Sequence, residues 1–134
     1  MTLETDAIPS ISPVLFYSNL ADACAWLTRA FGFDERVAER VTLEDGSVAH
    51  AELALGDGMV TLSPPYEEFQ VPNDDSVHHH CLYLSIADAQ AHRDNSVANG
   101  AKLTSELRKT DYGALVYSAR DFAGYHWIFA QSLR

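Results

Sequence analysis

Cysteine, basic charge and long apolar runs are all scarce in this chain. Only two of its 134 residues are cysteines, Cys24 and Cys81. Each lies inside a periodic segment, so no disulfide framework is implied. Nineteen acidic residues stand against nine basic ones, a formal charge of −10. Such a surface repels phosphate backbones, and no basic stripe with interleaved aromatics occurs, so nucleic acid is not an expected partner. No apolar run approaches the ~18 residues of a membrane span. The opening MTLETDAIPS is acidic and polar rather than basic and then apolar, which leads to the expectation of a cytoplasmic protein without membrane partners. A Gly-rich phosphate loop, a strand–turn–helix serine nucleophile and a CxxC pair are also missing.

What is present is an ordinary globular composition, 47% apolar and 21% charged, at a length that suits one domain with a real core. After a loose lead-in over residues 1–10, ISPVLFYS (11–18) reads as a strand. NLADACAWLTRAFGF follows with Leu20, Ala23, Trp26, Leu27, Ala30 and Phe31 at helical spacing, Asn19 as cap and Gly32 as stop. FDERVAERVTL reads as a strand turned by EDG into SVAHAELAL, and GDG turns again into MVTLSP. A Pro-rich, acidic connection, residues 64–78, leads to a second pass of the same order. HCLYLSI is a strand, DAQAHRDNSVANG a helix capped by Asp88 and stopped by Gly100. AKLTSELRK, ALVYSARD and YHWIFAQ are strands. The chain is thus a single α+β domain of two βαβββ repeats, about 11–63 and 79–131, and a tandem repeat outranks local readings.

The stretches ISPVLFYSNLADACAWLTRAFGFDER, VAHAELALGDGMVTL, CLYLSIADAQAHRDNSVANGAKL and YSARDFAGYHWIF together cover most of the chain. In that order they resemble the vicinal oxygen chelate superfamily, which includes glyoxalase I, bleomycin-resistance proteins, fosfomycin-resistance transferases and extradiol dioxygenases. The resemblance implies the glyoxalase/bleomycin resistance fold: cup-shaped mixed sheets, helices outside, a ligand in the cup, and pairing as a homodimer.

The resemblance also implies where a divalent ion is held in metal-dependent members, on the first and last strand of each half. The matching positions are Ser12 (Pro13 if the register slips by one), Thr61, Cys81 and Ile128, with Ser12 and Cys81 equally far before the caps Asn19 and Asp88. That set does not make an oxygen/nitrogen site, so no metal cofactor is expected. The run DDSVHHHCLYLS offers His78, His79, His80 and Cys81 instead. On a strand His79 and Cys81 share one face, ~6.6 Å apart, and His78 and His80 share the other. At most two ligands converge where a defined site needs about three or four. The run reads as a polar loop-to-strand junction.

In AHAELAL, His50 and Glu52 share the face opposite Ala49, Ala51, Leu53 and Leu55. They read either as a polar pair lining the cup or as a general base with its carboxylate. His126 shares a face with Ile128 and joins them as a candidate, whereas Trp127 and Phe129 read as packing residues. Phe16 and Tyr83 fall on the inner faces of the opening strands and suit a flat apolar guest or ordinary core filling. Tyr66 and Phe69 are placed to cover a cavity mouth. Arg120 and Asp121 read as an ion pair or a turn cap.

The leading expectation is a metal-independent small-molecule binder, its ligand aromatic or cationic and held by Phe16, His50, Glu52, Tyr83 and His126. The alternative is a lyase, isomerase or dioxygenase-like enzyme. It would use His50, Glu52 or His126, or a non-standard metal site near His79 and Cys81.

Overall fold

A computed structural model describes residues 8–73 and 75–134. Most of the expected lead-in, together with Asp74 of the connecting loop, lies outside the described residues. The elements run β1 (Val14–Phe16), α1 (Leu20–Phe31), β2 (Asp34–Glu35), a 3-10 turn (Val37–Glu39), β3 (Val41–Thr42), β4 (Val48–Leu55) and β5 (Gly58–Ser63). The second pass is β6 (Leu82–Ser85), α2 (Ala89–Ala98), β7 (Lys102–Lys109), β8 (Ala114–Arg120) and β9 (His126–Ser132).

The two passes share one strand order. In the first sheet it is β1-β5-β4-β2, with β3 also on β4; in the second it is β6-β9-β8-β7. In each, the opening strand pairs parallel to the closing one and the remaining pairs are antiparallel. This is the α+β glyoxalase/bleomycin resistance architecture. Two compact units follow, residues 8–28 with 32–71, and 29–31 with 72–134.

In the first unit the side chains of Leu15, Tyr17, Ala51, Leu53 and Leu62 share one sheet face and are buried, as are Leu20, Ala23, Cys24 and Leu27 of α1. Each fully buried Leu or Phe contributes about 1.5–3 kcal/mol. The helix ends are those the sequence signals. The Asn19 side chain accepts from Asp22 N at 3.0 Å, and Gly32 turns left-handed at φ 83°.

The second unit buries Tyr117, Ala119, Trp127, Phe129 and Phe31. Helix α2 packs on β7, β8 and β9 but is polar; only Ala89 and Ser96 are buried along it. It docks through hydrogen bonds instead. Asn95 Nδ2 donates to the carbonyls of Arg29 and Ala30, and His92 Nε2 lies 2.8 Å from that of Phe31. These helix-terminal carbonyls would otherwise lack partners.

One expected strand is not continuous. FDERVAERVTL divides into β2, a 3-10 turn and β3. Val37, Val41 and Leu43 are exposed, so the segment has no apolar face to bury. A bidentate Arg40–Glu35 pair, both contacts at 2.7 Å, clasps the turn. β6 likewise begins at Leu82, so His78–Cys81 precede the strand and its alternation does not order them.

Candidate binding faces and family membership

The expected parity of β4 holds: Ala51 and Leu53 are on the buried side, and His50 and Glu52 are on the other. Glu52 is directly opposite Thr61 on β5, and Thr61 opposite Val14 on β1, so these residues share the face opposite the core. On that face Glu52 is only 6% exposed. Its Oε2 lies 2.9 Å from His50 Nε2. Its Oε1 lies 3.1 Å from Arg36 NH1, without the alignment of a hydrogen bond; among the described residues this buried oxygen has charge beside it but no hydrogen-bond donor. Arg36 is tied in further by its backbone N–H to Glu52 O at 2.8 Å and by a 3.2 Å contact to Met59 Sδ. Arg36 carries no pattern in the sequence. The 3-10 turn shifts the register between β2 and β3, so the residue opposite Glu52 cannot be counted from the Glu44–Gly46 turn.

Phe16 is on the same face and anchors an aromatic cluster. Its ring stacks on Phe69 at 5.0 Å and meets Tyr66 edge-on at 5.8 Å. Tyr66 and Phe69 bond each other through their backbones, yet remain 51% and 48% exposed. The loop aromatics therefore contact Phe16 while keeping half their surface free for another apolar group.

In the second unit Tyr83 and His126 share the open face of the sheet, since Tyr83 pairs with Ile128 and His126 is two residues from it. Tyr83 is 54% exposed, and its hydroxyl lies 3.3 Å from that of Tyr112. Trp127 and Phe129 face the core, as expected. His126 Nε2 lies 2.7 Å from Thr104 Oγ1, which is 2.8 Å from Ser118 Oγ. Burial, then the nearby Arg120, then His78 push the His126 imidazole below its ordinary value. The histidine run divides. His78 turns to Arg120, whose NH1 donates to its Nε2 at 3.2 Å, while His79, His80 and Cys81 are exposed. Burial and then Arg120 lower His78 as well, with Asp121 opposing.

Asp121 is the turn cap. It is 1% exposed, and its Oδ1 accepts from the N–H groups of Ala123, Gly124 and Tyr125 while Oδ2 accepts from the Trp127 indole. The turn also needs Gly124, at φ 107°, because a Cβ there would come within 2.7 Å of the Asn73 backbone.

The positions matched to the family's metal ligands do not fit a divalent ion. Ser12 Oγ donates to Met59 O at 3.2 Å and lies 3.5 Å from Thr61 Oγ1, so both hydroxyls are turned to protein partners. The carboxylate opposite Thr61 already has a guanidinium beside it. Ile128 brings no donor. No group of three or more His, Cys, Asp or Glu side chains converges on a metal-sized site among the described residues.

Solved structures repeat this fold. TioX from Micromonospora sp. ML1 is 27% identical over 91% of this chain and 94% of its own, with a TM-score of 0.70. A glyoxalase/bleomycin resistance protein/dioxygenase family enzyme from Burkholderia phytofirmans PsJN is 14% identical, covering 90% and 95%, with a TM-score of 0.70. A variant of the fosfomycin resistance protein FosX from Listeria monocytogenes, complexed with manganese(II) and 1S,2S-dihydroxypropylphosphonic acid, is 13% identical, covering 92% and 90%, with a TM-score of 0.66. No curated protein matches the chain significantly by sequence. The family model of the Glyoxalase/Bleomycin resistance protein/Dioxygenase superfamily matches residues 8–129, and the chain belongs to that superfamily.

Proposed function

We propose that this protein binds a small aromatic, donor-bearing or cationic molecule on the open face of its first sheet, without a metal. The observation that carries the reading is the buried Glu52 Oε1. It has no hydrogen-bond donor among the described residues, and it shares a face with the buried Phe16, on which the half-exposed Tyr66 and Phe69 pack. A buried acceptor left unsatisfied costs about 1–3 kcal/mol. A guest N–H that displaces Arg36 or His50 to reach it, while its ring lies on Phe69, recovers that cost. Tyr83 and His126 offer a second open face of mixed polarity. The protein is proposed to act as a homodimer, as the family resemblance implies, and to work in the cytoplasm.

An enzymatic reading rests on the 2.9 Å His50–Glu52 contact, with His50 as the proton acceptor and Glu52 orienting its ring. Binding is favoured because Glu52 also faces Arg36, so it is not given over to the imidazole alone.

Thermal shift against a panel of aromatic amines and quaternary ammonium compounds, with metal analysis of the purified chain, tests the proposal. Metal is expected to be substoichiometric, and zinc, nickel and manganese should leave the melting temperature unchanged. A fitting amine at 100 times its Kd should add about 2.7 kcal/mol, and Glu52→Gln should weaken it. One tightly held ion per chain, released on changing His79 and Cys81, would overturn the metal-free reading. Turnover of a panel compound that His50→Gln abolishes would establish the enzyme instead.

A further inference from the structure

The polar helix α2 is tied to the second sheet by a line of four contacts. The Phe31 carbonyl lies 2.8 Å from His92 Nε2, and His92 Nδ1 lies 2.5 Å from the Tyr117 hydroxyl of β8. That hydroxyl is 3.0 Å from Ser96 Oγ, and Ser96 Oγ is 3.0 Å from the Arg93 carbonyl. Tyr117 and Ser96 are fully buried, so bulk water does not reach their hydroxyls, while His92 is half-buried.

Four contacts need four hydrogens. Both ends of the line are carbonyls, which only accept. A neutral histidine, a tyrosine and a serine bring one hydrogen each, one short of the need. An imidazolium brings a second, and every contact is then filled. With His92 charged, Nε2 donates to Phe31 O and Nδ1 to the Tyr117 oxygen. Tyr117 donates to Ser96 Oγ, and Ser96 to Arg93 O. With His92 neutral, Nε2 keeps its hydrogen because it faces a carbonyl, and Nδ1 becomes an acceptor. Tyr117 then donates to Nδ1 and Ser96 to Tyr117, and the Ser96–Arg93 contact goes empty.

We infer that this line is a proton-uptake switch: His92 takes a proton within the folded chain, and the Tyr117 and Ser96 hydroxyls reverse to accommodate it. Among the described residues no carboxylate contacts the imidazole. On α2, Asp88 accepts from Ala91 N, and Arg93 is paired with Asp94 and with Glu106 of β7. At the end of α1, Arg29 is directed to Asn99. β9 presents Phe129, its ring 4.3 Å from the imidazole, and β8 presents Tyr117. Burial lowers His92 and the Phe31 carbonyl opposes that, so the proton arrives on the acid side of the ordinary histidine range. Its arrival completes the contacts of α2 rather than breaking them.

Long-range proton–nitrogen NMR of the labelled full chain reads both His92 nitrogens through a pH titration. At neutral pH the single hydrogen is expected on Nε2. On the acid side both nitrogens should carry one, while the α2 amides keep their protection from hydrogen exchange. Ser96→Ala, which places a good helix former at a buried helical position, is the informative variant. It leaves the neutral form's Phe31–His92 and His92–Tyr117 bonds intact, but in the charged form the Tyr117 hydroxyl loses its acceptor. His92 should therefore hold its proton about tenfold less tightly in that variant. In a Tyr117→Phe background, where the line is cut, the same change should alter His92 by less than about twofold. If Tyr117→Phe does not fold, the Ser96→Ala titration decides alone. An imidazole unmoved by Ser96→Ala would overturn the switch. So would a neutral form with its hydrogen on Nδ1, or proton uptake that occurs only as α2 loses protection. None of these results depends on the Glu52 face.

Discussion

The two units repeat one strand order, yet they satisfy their polar groups in opposite ways. In the first, charge is paired within the sheet: Arg36 and His50 flank the buried Glu52, and Arg40 clasps Glu35. Aromatic rings cover part of the same face. In the second, the buried carboxylate turns to the backbone, where Asp121 holds a turn and the Trp127 indole, while Arg120 donates to the Gly124 carbonyl and His126 meets the Thr104 hydroxyl. The hairpins show why. β4 and β5 are joined by Gly56 and Asp57 alone, so strand pairing sets that turn, whereas Asp121 to Tyr125 is a longer excursion whose N–H groups need an acceptor. The repeat fixes the topology, and the few residues that must satisfy local backbone set the chemistry of each face.

Removing that acceptor is the largest change expected. Asp121→Ala orphans three backbone donors and an indole in a buried place. A loss of about 3–5 kcal/mol in denaturant unfolding is expected, with about half of that for Asp121→Asn, which keeps one oxygen. Glu52→Ala, the matching change in the first unit, leaves Arg36 and His50 facing each other without a carboxylate. Because both are partly exposed, about 2–4 kcal/mol is expected. If Glu52→Ala costs more than Asp121→Ala, backbone satisfaction is not what distinguishes the halves.

The comparison sharpens with pH. His78, His92 and His126, all in the second unit, are pushed below their ordinary value of 6.5, each chiefly by burial. His92 is the deepest, set between Phe31 O and the Tyr117 hydroxyl, which is itself raised to about 12 by burial. A depressed histidine is neutral in both states above 6.5 and contributes its full stability there. Below 6.5 the unfolded chain takes protons that the folded one refuses, so stability falls until the lower folded value is passed. Unfolding free energy should therefore decline between about pH 7 and 5, and His92→Gln should start lower but decline less. An equal slope in the variant would remove His92 from the effect.

The division of labour was only partly legible in the residues. The tandem repeat, both helix caps and the parity of β4 follow from periodicity and turn chemistry, which act within a few residues. Phe16, His50, Glu52, Tyr83 and His126 lie on the sheet faces opposite the core, two of them, Phe16 and Glu52, themselves buried. Arg36 was hidden because a 3-10 turn moves the register between β2 and β3. The contact of Arg120 with His78 was hidden because its partners lie 42 residues apart in the sequence. The triple histidine is dense, but among the described residues only His78 of the three has a side-chain hydrogen bond, and it is to an arginine.

A smaller effect concerns the aromatic loop. Phe69→Ala removes a stacked ring that is half in solvent, so about 0.5–1.5 kcal/mol is expected. Its effect on amine binding in the thermal-shift assay should exceed its effect on the free protein. A binding loss no larger than the stability loss would make the cluster packing alone.

The least perturbing probe is the pair of thiols, one in each unit. Cys24 is buried on α1 and its thiol is pushed up to about 11, first by burial and then by the charge of Glu35, with Arg40 opposing. At pH 8 roughly one such group in a thousand is a thiolate, the form that attacks disulfide reagents. Cys81 is exposed, just before β6. A chromogenic disulfide reagent should therefore release one equivalent quickly from the native chain and the second only at the rate of unfolding. Because Cys24 lies against the Glu35–Arg40 clasp, its slow phase reports that corner of the first unit. Glu35→Gln should speed the phase without touching Cys81, and two fast equivalents in the native chain would mean that the clasp does not close over the thiol.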